Sequence, residues 1–168
     1  EIERIEGEVV DIDAVPLDDA ETFELIQSTK TLGLFQIESP GQRELVGKFA
    51  PNTFTDLIID ISLFRPGPVK SDMITPFLNA RQGWSAPRLI HPSLYDILAE
   101  TEGVVVFHEQ VIRIIAVMTG ITLAQADEKR RALGTFESQQ EVCDWFYPAS
   151  LAHGYELSVV AKVWEILR

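Results

Sequence analysis

The sequence predicts an all-α protein, and three observations predict it. Apolar residues recur at helical spacing in segment after segment, as in Leu157, Val160, Val163, Trp164 and Leu167. Several of these segments follow a Ser, Thr or Asp with a Glu, Gln or Asp three positions on, the pattern of a helix N-terminus. The stretches that suit a strand are only two, 32–38 and 104–107, and both are short. About eight helices with at most a couple of minor strands are expected.

Residues 1–17 are acidic and lack sustained periodicity, which predicts an extended lead-in before a helical domain over 18–168. Asp18, with Glu21 three positions on, caps a helix whose apolar side is Phe23, Leu25 and Ile26. LGLFQIE at 32–38 alternates in part and suits a short strand. Ser39 before Pro40, with Gln42 at the box position, starts a helix that buries Leu45, Val46 and Phe49. Thr53 with Asp56 caps the next. Its apolar run of Leu57, Ile58, Ile61 and Phe64 ends at Arg65, because Pro66 restricts the residue before it. RPGP at 65–68 is a rigid turn, with proline fixing φ and Gly67 free to adopt what other residues cannot.

A helix from about Ser71, kinked at Pro76, runs out at Gly83. After a loop containing Trp84, Arg88 and His91, either Pro92 or Ser93 opens a short helix over Leu94, Ile97 and Leu98. VVVF at 104–107 suits either a strand or the buried entry to the next helix; periodicity does not choose. That helix breaks at Gly120. Thr122 opens a second, which closes on Lys129, Arg130 and Arg131 before Gly134. Ser138 with Glu141 caps a further helix bearing Val142, Trp145 and Phe146, broken or bent at Pro148. Gly154 separates it from a last helix, 157–168, whose apolar stripe is left in need of a partner.

A chain of 168 residues, 46% apolar and 24% charged, is long enough to bury a core as one domain or two small ones. Its single cysteine, Cys143, excludes an intrachain disulfide and a cysteine-based zinc cluster. No run of 18 apolar residues predicts a membrane span, and the acidic start has no apolar core for a signal peptide. A cytoplasmic location is expected. The absence of an initial methionine fits a piece of a longer protein. The net charge of −12 argues against an autonomous, tight DNA binder. That charge is uneven: residues 1–29 hold ten acidic residues and one basic, whereas 43–131 hold ten of each.

No phosphate-cradling glycine loop, HExxH pair, CxxC pair or serine nucleophile motif is present, and His91, His108 and His153 are scattered. Asp11 and Asp13 form an Asp-x-Asp pair of the kind that holds divalent metal, but within an acidic run before Pro16 they read as solvated linker. The positive candidates are arginines, whose planar fork of donors suits phosphate oxygens. Arg130 and Arg131 lie three and four residues after Asp127, so either can pair with it. Such a pair is worth only about 0.2–0.5 kcal/mol, too little to demand two arginines. Glu109 and Arg113 form a similar i,i+4 pair. Cations at a helix C-terminus also satisfy the helix dipole, so a solvated helix end is the competing reading. Arg65 before a rigid turn is a second candidate for a phosphate or template contact, with Lys70 and Arg81 following it.

Four motifs, TLGLFQIES at 31–39, FTDLIIDISLFRPGPVKSDMITPFLNARQG at 54–83, GVVVFHEQVIRIIAVMTG at 103–120 and ADEKRRALG at 126–134, resemble the α (polymerase) subunit of bacterial DNA polymerase III. The resemblance is collinear from about Asp11 to the C-terminus. Its flavour is that of the error-prone branch. The replicative branch usually has a lysine-rich run after its RRAMG motif, where this chain has Thr135, Phe136, Glu137 and Ser138; HGY at 153–155 is similar to the RGY of the error-prone branch.

The resemblance implies that this stretch follows the palm and forms the start of the helical fingers, which close over incoming deoxynucleoside triphosphate and template. DIDAVPLDD at 11–19 matches the linker after the palm, so Asp11 and Asp13 are not carried over as metal ligands. The palm aspartates that hold the magnesium ions have no counterpart here, and the segment alone is expected to be inactive. By resemblance, Arg130 and Arg131, with Lys129, contact triphosphate. Arg65 in its Pro66–Gly67 turn, Lys70, Arg81 and Gln110 are candidates for template or nucleotide contact, and Glu109 orients Arg113 or another fingers arginine. The implied partners are primer–template DNA, nucleotide, the palm and remaining fingers, and other polymerase subunits, in replication or in translesion synthesis during DNA repair. The alternative is a helical protein–protein interaction module with no nucleotide role.

Overall fold

A computed structural model describes residues 1–64 and 73–168, in two compact units, Glu1–Ile61 and Ser62–Arg168. Arg65, Pro66, Gly67 and Lys70 lie outside the described residues, and so does the start proposed at Ser71. Ten α-helices and no strand occur among the described residues, so the protein is all-α.

The first unit begins with α1 (Ile2–Glu6), fully exposed, and a 3-10 turn at Ile12–Ala14, where an extended lead-in was expected. Its second helix, α2 (Ala20–Gln27), is capped by Asp19 rather than Asp18; the carboxylate accepts from the Thr22 N–H at 2.9 Å. Hydrogen bonds from Thr22 hold the Asp19 carboxyl below its ordinary value. Phe23 and Ile26 are buried while Leu25 is exposed. Residues 32–38 form turns rather than a strand, closed by Thr31, whose hydroxyl donates to the Ile37 carbonyl. The next helix, α3 (Pro40–Phe49), starts as expected on Ser39 and buries Leu45, Val46 and Phe49. Gln42 does not complete a box with Ser39: its side chain is buried and donates to Asp60.

Thr53 and Asp56 cap α4 (Phe54–Leu63) reciprocally, Asp56 N–H to the Thr53 hydroxyl and Thr53 N–H to the Asp56 carboxylate, each at 3.1 Å. The buried face of α4 is not the one expected. Ile59, Asp60 and Leu63 are inside, whereas Ile58 and Phe64 are exposed. Apolar residues occupy nearly the whole circumference of this helix, so spacing alone does not select a face. Phe23, Ile26, Ile37 and Val46 form the core of the unit, with Leu57 and Ile61 packed on it.

In the second unit, α5 (Ile74–Arg81) buries Phe77 and holds Pro76 in its first turn, where a missing N–H breaks no intrahelical bond. His91 caps a 3-10 turn at Pro92–Leu94, its ring accepting from the Ser93 N–H. The turn runs into α6 (Tyr95–Leu98) and a second 3-10 turn, Ala99–Thr101. Gly103 then has φ +80°, and a Cβ there would lie 2.6 Å from the Arg88 carbonyl oxygen. Gly103→Ala is expected to lower stability in urea unfolding by about 2 kcal/mol, since both the backbone strain and the clash fall on main chain. Val104 and Val105 are buried in an irregular segment leading to α7 (His108–Thr119), not in a strand.

Gly120, in the left-handed region at φ +71°, turns the chain into α8 (Leu123–Ala132), and α7 and α8 pack on each other as a hairpin. The following helix, α9 (Phe136–Ala152), is capped by Thr135 instead of Ser138 and passes through Pro148 without breaking. The Ser138 hydroxyl instead donates to the Ala132 carbonyl at 2.5 Å, tying the two helices together. The last helix, α10 (Leu157–Leu167), buries Val160, Val163, Trp164 and Leu167. Those residues join Ile114, Ile115, Met118, Val142 and Phe146 in one core. The stripe thus finds its partner inside the unit.

A candidate phosphate-binding helix end

Phe107 stands at the N-cap of α7 and has no hydroxyl or carboxylate to cap with. Gln110 does it instead. Its Oε1 accepts from the N–H groups of Val106 at 2.8 Å and Phe107 at 3.0 Å. Its Nε2 donates to the Ile97 carbonyl at 3.0 Å and to the Thr101 hydroxyl at 2.7 Å. Both donors and both acceptor sites of the amide are used, and the residue is 6% exposed. Gln110 therefore fixes the entry of α7 against the turn before it and is not displayed for a template or nucleotide. Thr101 was not singled out in the sequence, because its link to Gln110 spans nine positions with no local pattern.

Thr122 and Gln125 cap α8: the Gln125 amide N–H donates to the Thr122 hydroxyl, and the Gln125 side chain accepts from the Thr122 N–H at 3.0 Å. One helical turn further on, Asp127 gathers two guanidinium groups. Arg130 donates to Asp127 Oδ1 through Nε at 3.1 Å and Nη2 at 2.8 Å; Arg131 donates through Nη2 to Oδ2 at 2.6 Å. The Arg130 side chain is 24% exposed and that of Arg131 72%. Hydrogen bonding from Arg130, then from Arg131, holds the Asp127 carboxyl below its ordinary value. Lys129 goes elsewhere. Its Nζ lies 4.6 Å from the ring centroid of Trp145 on α9. The three consecutive cations are thus divided, two on a shared carboxylate and one over an indole.

One protein family, described as the bacterial DNA polymerase III alpha subunit finger domain, matches residues 1–147. The chain belongs to that family. It is 35% identical over 153 residues to the DNA polymerase III subunit alpha of Aquifex aeolicus, covering 90% of this chain and 13% of that protein. Against the subunit alpha of Pseudomonas aeruginosa it is 42% identical over 132 residues, 76% of this chain and 11% of that protein. Against error-prone DNA polymerase 1 of Agrobacterium fabrum it is 36% identical over 169 residues, 99% of this chain and 16% of that protein. The chain therefore spans between 11% and 16% of the length of these curated relatives. Both names occur among them at similar identity, so identity does not separate the two branches.

The remaining candidate residues among the described ones sit on other elements. Arg81 is the last residue of α5 and is half-buried. Glu109 and Arg113 line one depression with Asp96, Glu100 and Gln110, and no ion pair joins them among the described residues. Asp11 is committed locally, accepting from the Asp13 N–H at 3.1 Å. No group of three His, Cys, Asp or Glu side chains among the described residues is arranged to hold a metal ion. Nor is any helix of the described residues long and apolar enough to cross a membrane.

Proposed function

We propose that this chain is the fingers segment of a DNA-directed DNA polymerase, and that the end of α8 contacts the triphosphate of the incoming nucleotide through Arg130 and Arg131. The observation that carries the reading is their convergence on one carboxylate, Asp127, in a chain of the fingers family. Two planar guanidinium forks held side by side suit nonbridging phosphate oxygens, over which charge spreads during phosphoryl transfer. Intrahelical pairs on a solvent-reached helix end such as those with Asp127 are weak, so a phosphate can displace them. Asp127 supports the pair by keeping both side chains on the same side of the helix.

In this reading the metal ions and the residues that hold them belong to the palm, where magnesium would activate the primer's 3′-hydroxyl and neutralise charge on the phosphates. This segment supplies positioning, and by itself it is inactive. Primer–template DNA, deoxynucleoside triphosphate, the palm and the remaining fingers are its partners, with other polymerase subunits. Arg65, Lys70 and Arg81 belong to the same proposal as template or nucleotide contacts. The competing reading, a helical interaction module, takes the basic helix end as solvated and the α10 stripe as a docking face, and most of that stripe is buried in the unit's own core.

The test is primer extension with titrated nucleotide by the full-length polymerase carrying Arg130→Ala. A rise in apparent KM or a fall in kcat of about tenfold or more, about 1.4 kcal/mol of lost stabilisation, is expected. Unchanged kinetics in a folded variant would mean that the basic helix end is ordinary surface.

A further inference from the structure

We propose that Trp145 is a positioning residue for the basic end of α8, latching Lys129 to α9 so that Arg130 and Arg131 alone face a phosphate. The inference rests on the nucleotide-site reading above. Lys129 is two residues from Asp127, about 200° around the helix, so it points away from the carboxylate that holds both arginines. What it meets is the Trp145 ring, 4.6 Å from Nζ to centroid and within the range of a cation–π contact. That ring is fixed from behind. Its neighbour Phe146, fully buried, lies 6.5 Å away by centroid, and Phe146 packs on Trp164 of α10 at 5.8 Å. The series of rings runs from the basic end of α8 into the core.

Between Lys129 and Trp145 the chain turns through Leu133, Gly134 and Thr135, and the Ser138 hydroxyl holds the Ala132 carbonyl at the corner. The latch closes this corner from its other side, fixing the last turn of α8 in direction as well as place. Lys129 serves by being held, and the phosphate contacts fall to its neighbours.

The experiment titrates inorganic tripolyphosphate into the full-length polymerase by calorimetry, beside its Arg130→Ala, Lys129→Met, Trp145→Leu, Trp145→Phe and Lys129→Met/Trp145→Leu variants. Trp145→Leu is expected to weaken binding about three- to fivefold, the size of a half-exposed cation–π contact. Trp145→Phe restores most of that loss, and the double variant binds no worse than Trp145→Leu alone. Lys129→Met leaves the core ring in place and shows the same loss, so the test stands even if Trp145→Leu unfolds. Additive losses, or unchanged affinity in the Trp145 and Lys129 variants while Arg130→Ala weakens binding, overturn the latch and leave the nucleotide site standing. Failure of the unaltered polymerase to bind tripolyphosphate overturns the nucleotide-site reading, and the latch falls with it.

Discussion

Replacing Gln110 with alanine is expected to lower the stability of the chain by about 4 kcal/mol, because it strands several buried polar groups at once. The N–H groups of Val106 and Phe107 lose their acceptor, and the Ile97 carbonyl and Thr101 hydroxyl lose a donor. Gln110→Glu separates the two halves of the network. It keeps the acceptors but removes the amide donor and places a charge beside a buried carbonyl, so it is expected to be nearly as damaging at neutral pH and to recover partly in acid. Urea unfolding at pH 7 and pH 4 measures both. A loss below about 1 kcal/mol for Gln110→Ala would show that α7 holds its entry without the amide.

Asp60 produces the second large effect, with the opposite sign to an ordinary salt-bridged carboxylate. It is fully buried on α4, its Oδ1 has no hydrogen-bond partner among the described residues, and Gln42 donates to its other oxygen. Burial pushes its pKa from 3.8 up to about 7, against the smaller lowering effect of the Gln42 bond. The unfolded chain ionises Asp60 near 3.8, so between that value and about 7 the folded state binds a proton that the unfolded state has released. The stability contributed by the neutral acid is therefore complete below about pH 4 and is lost as pH rises toward 7. Asp60→Asn keeps the shape and an acceptor for Gln42 without the charge. At pH 8 the variant is expected to be more stable by about 3 kcal/mol, with the two proteins converging near pH 4. Parallel stability curves over this range would mean that Asp60 is already ionised in the fold.

The features legible in the sequence were those set within one helical turn. Ser39, Thr53 and Thr122 cap as their spacing predicts, because a cap needs only the residue two or three positions on. Where two cap residues compete, as Asp18 with Asp19 or Ser138 with Thr135, the pattern is degenerate and the chain takes the other one. Of the break or bend that Pro148 suggests, the break does not occur: α9 is held by core contacts from Val142 and Phe146, and tertiary packing overrides one lost hydrogen bond. The buried face of α4 needed its partner elements to be known, whereas the stripe of α10 was legible and only what it packs against was not. The same division holds at the candidate site. Asp127, Arg130 and Arg131 are local and were legible. Trp145 is sixteen positions from Lys129, and only the turn between α8 and α9 brings them together.

Asp127 also bears on how the end of α8 would respond to salt. One carboxylate set against two guanidinium groups acts as a built-in counterion and leaves a single net positive charge. Any anion that takes up the two arginines exchanges with a covalently tethered one instead of condensing on a bare cationic patch. Fewer dissolved ions are then displaced on binding, and affinity falls less steeply with ionic strength than the number of arginines alone would suggest.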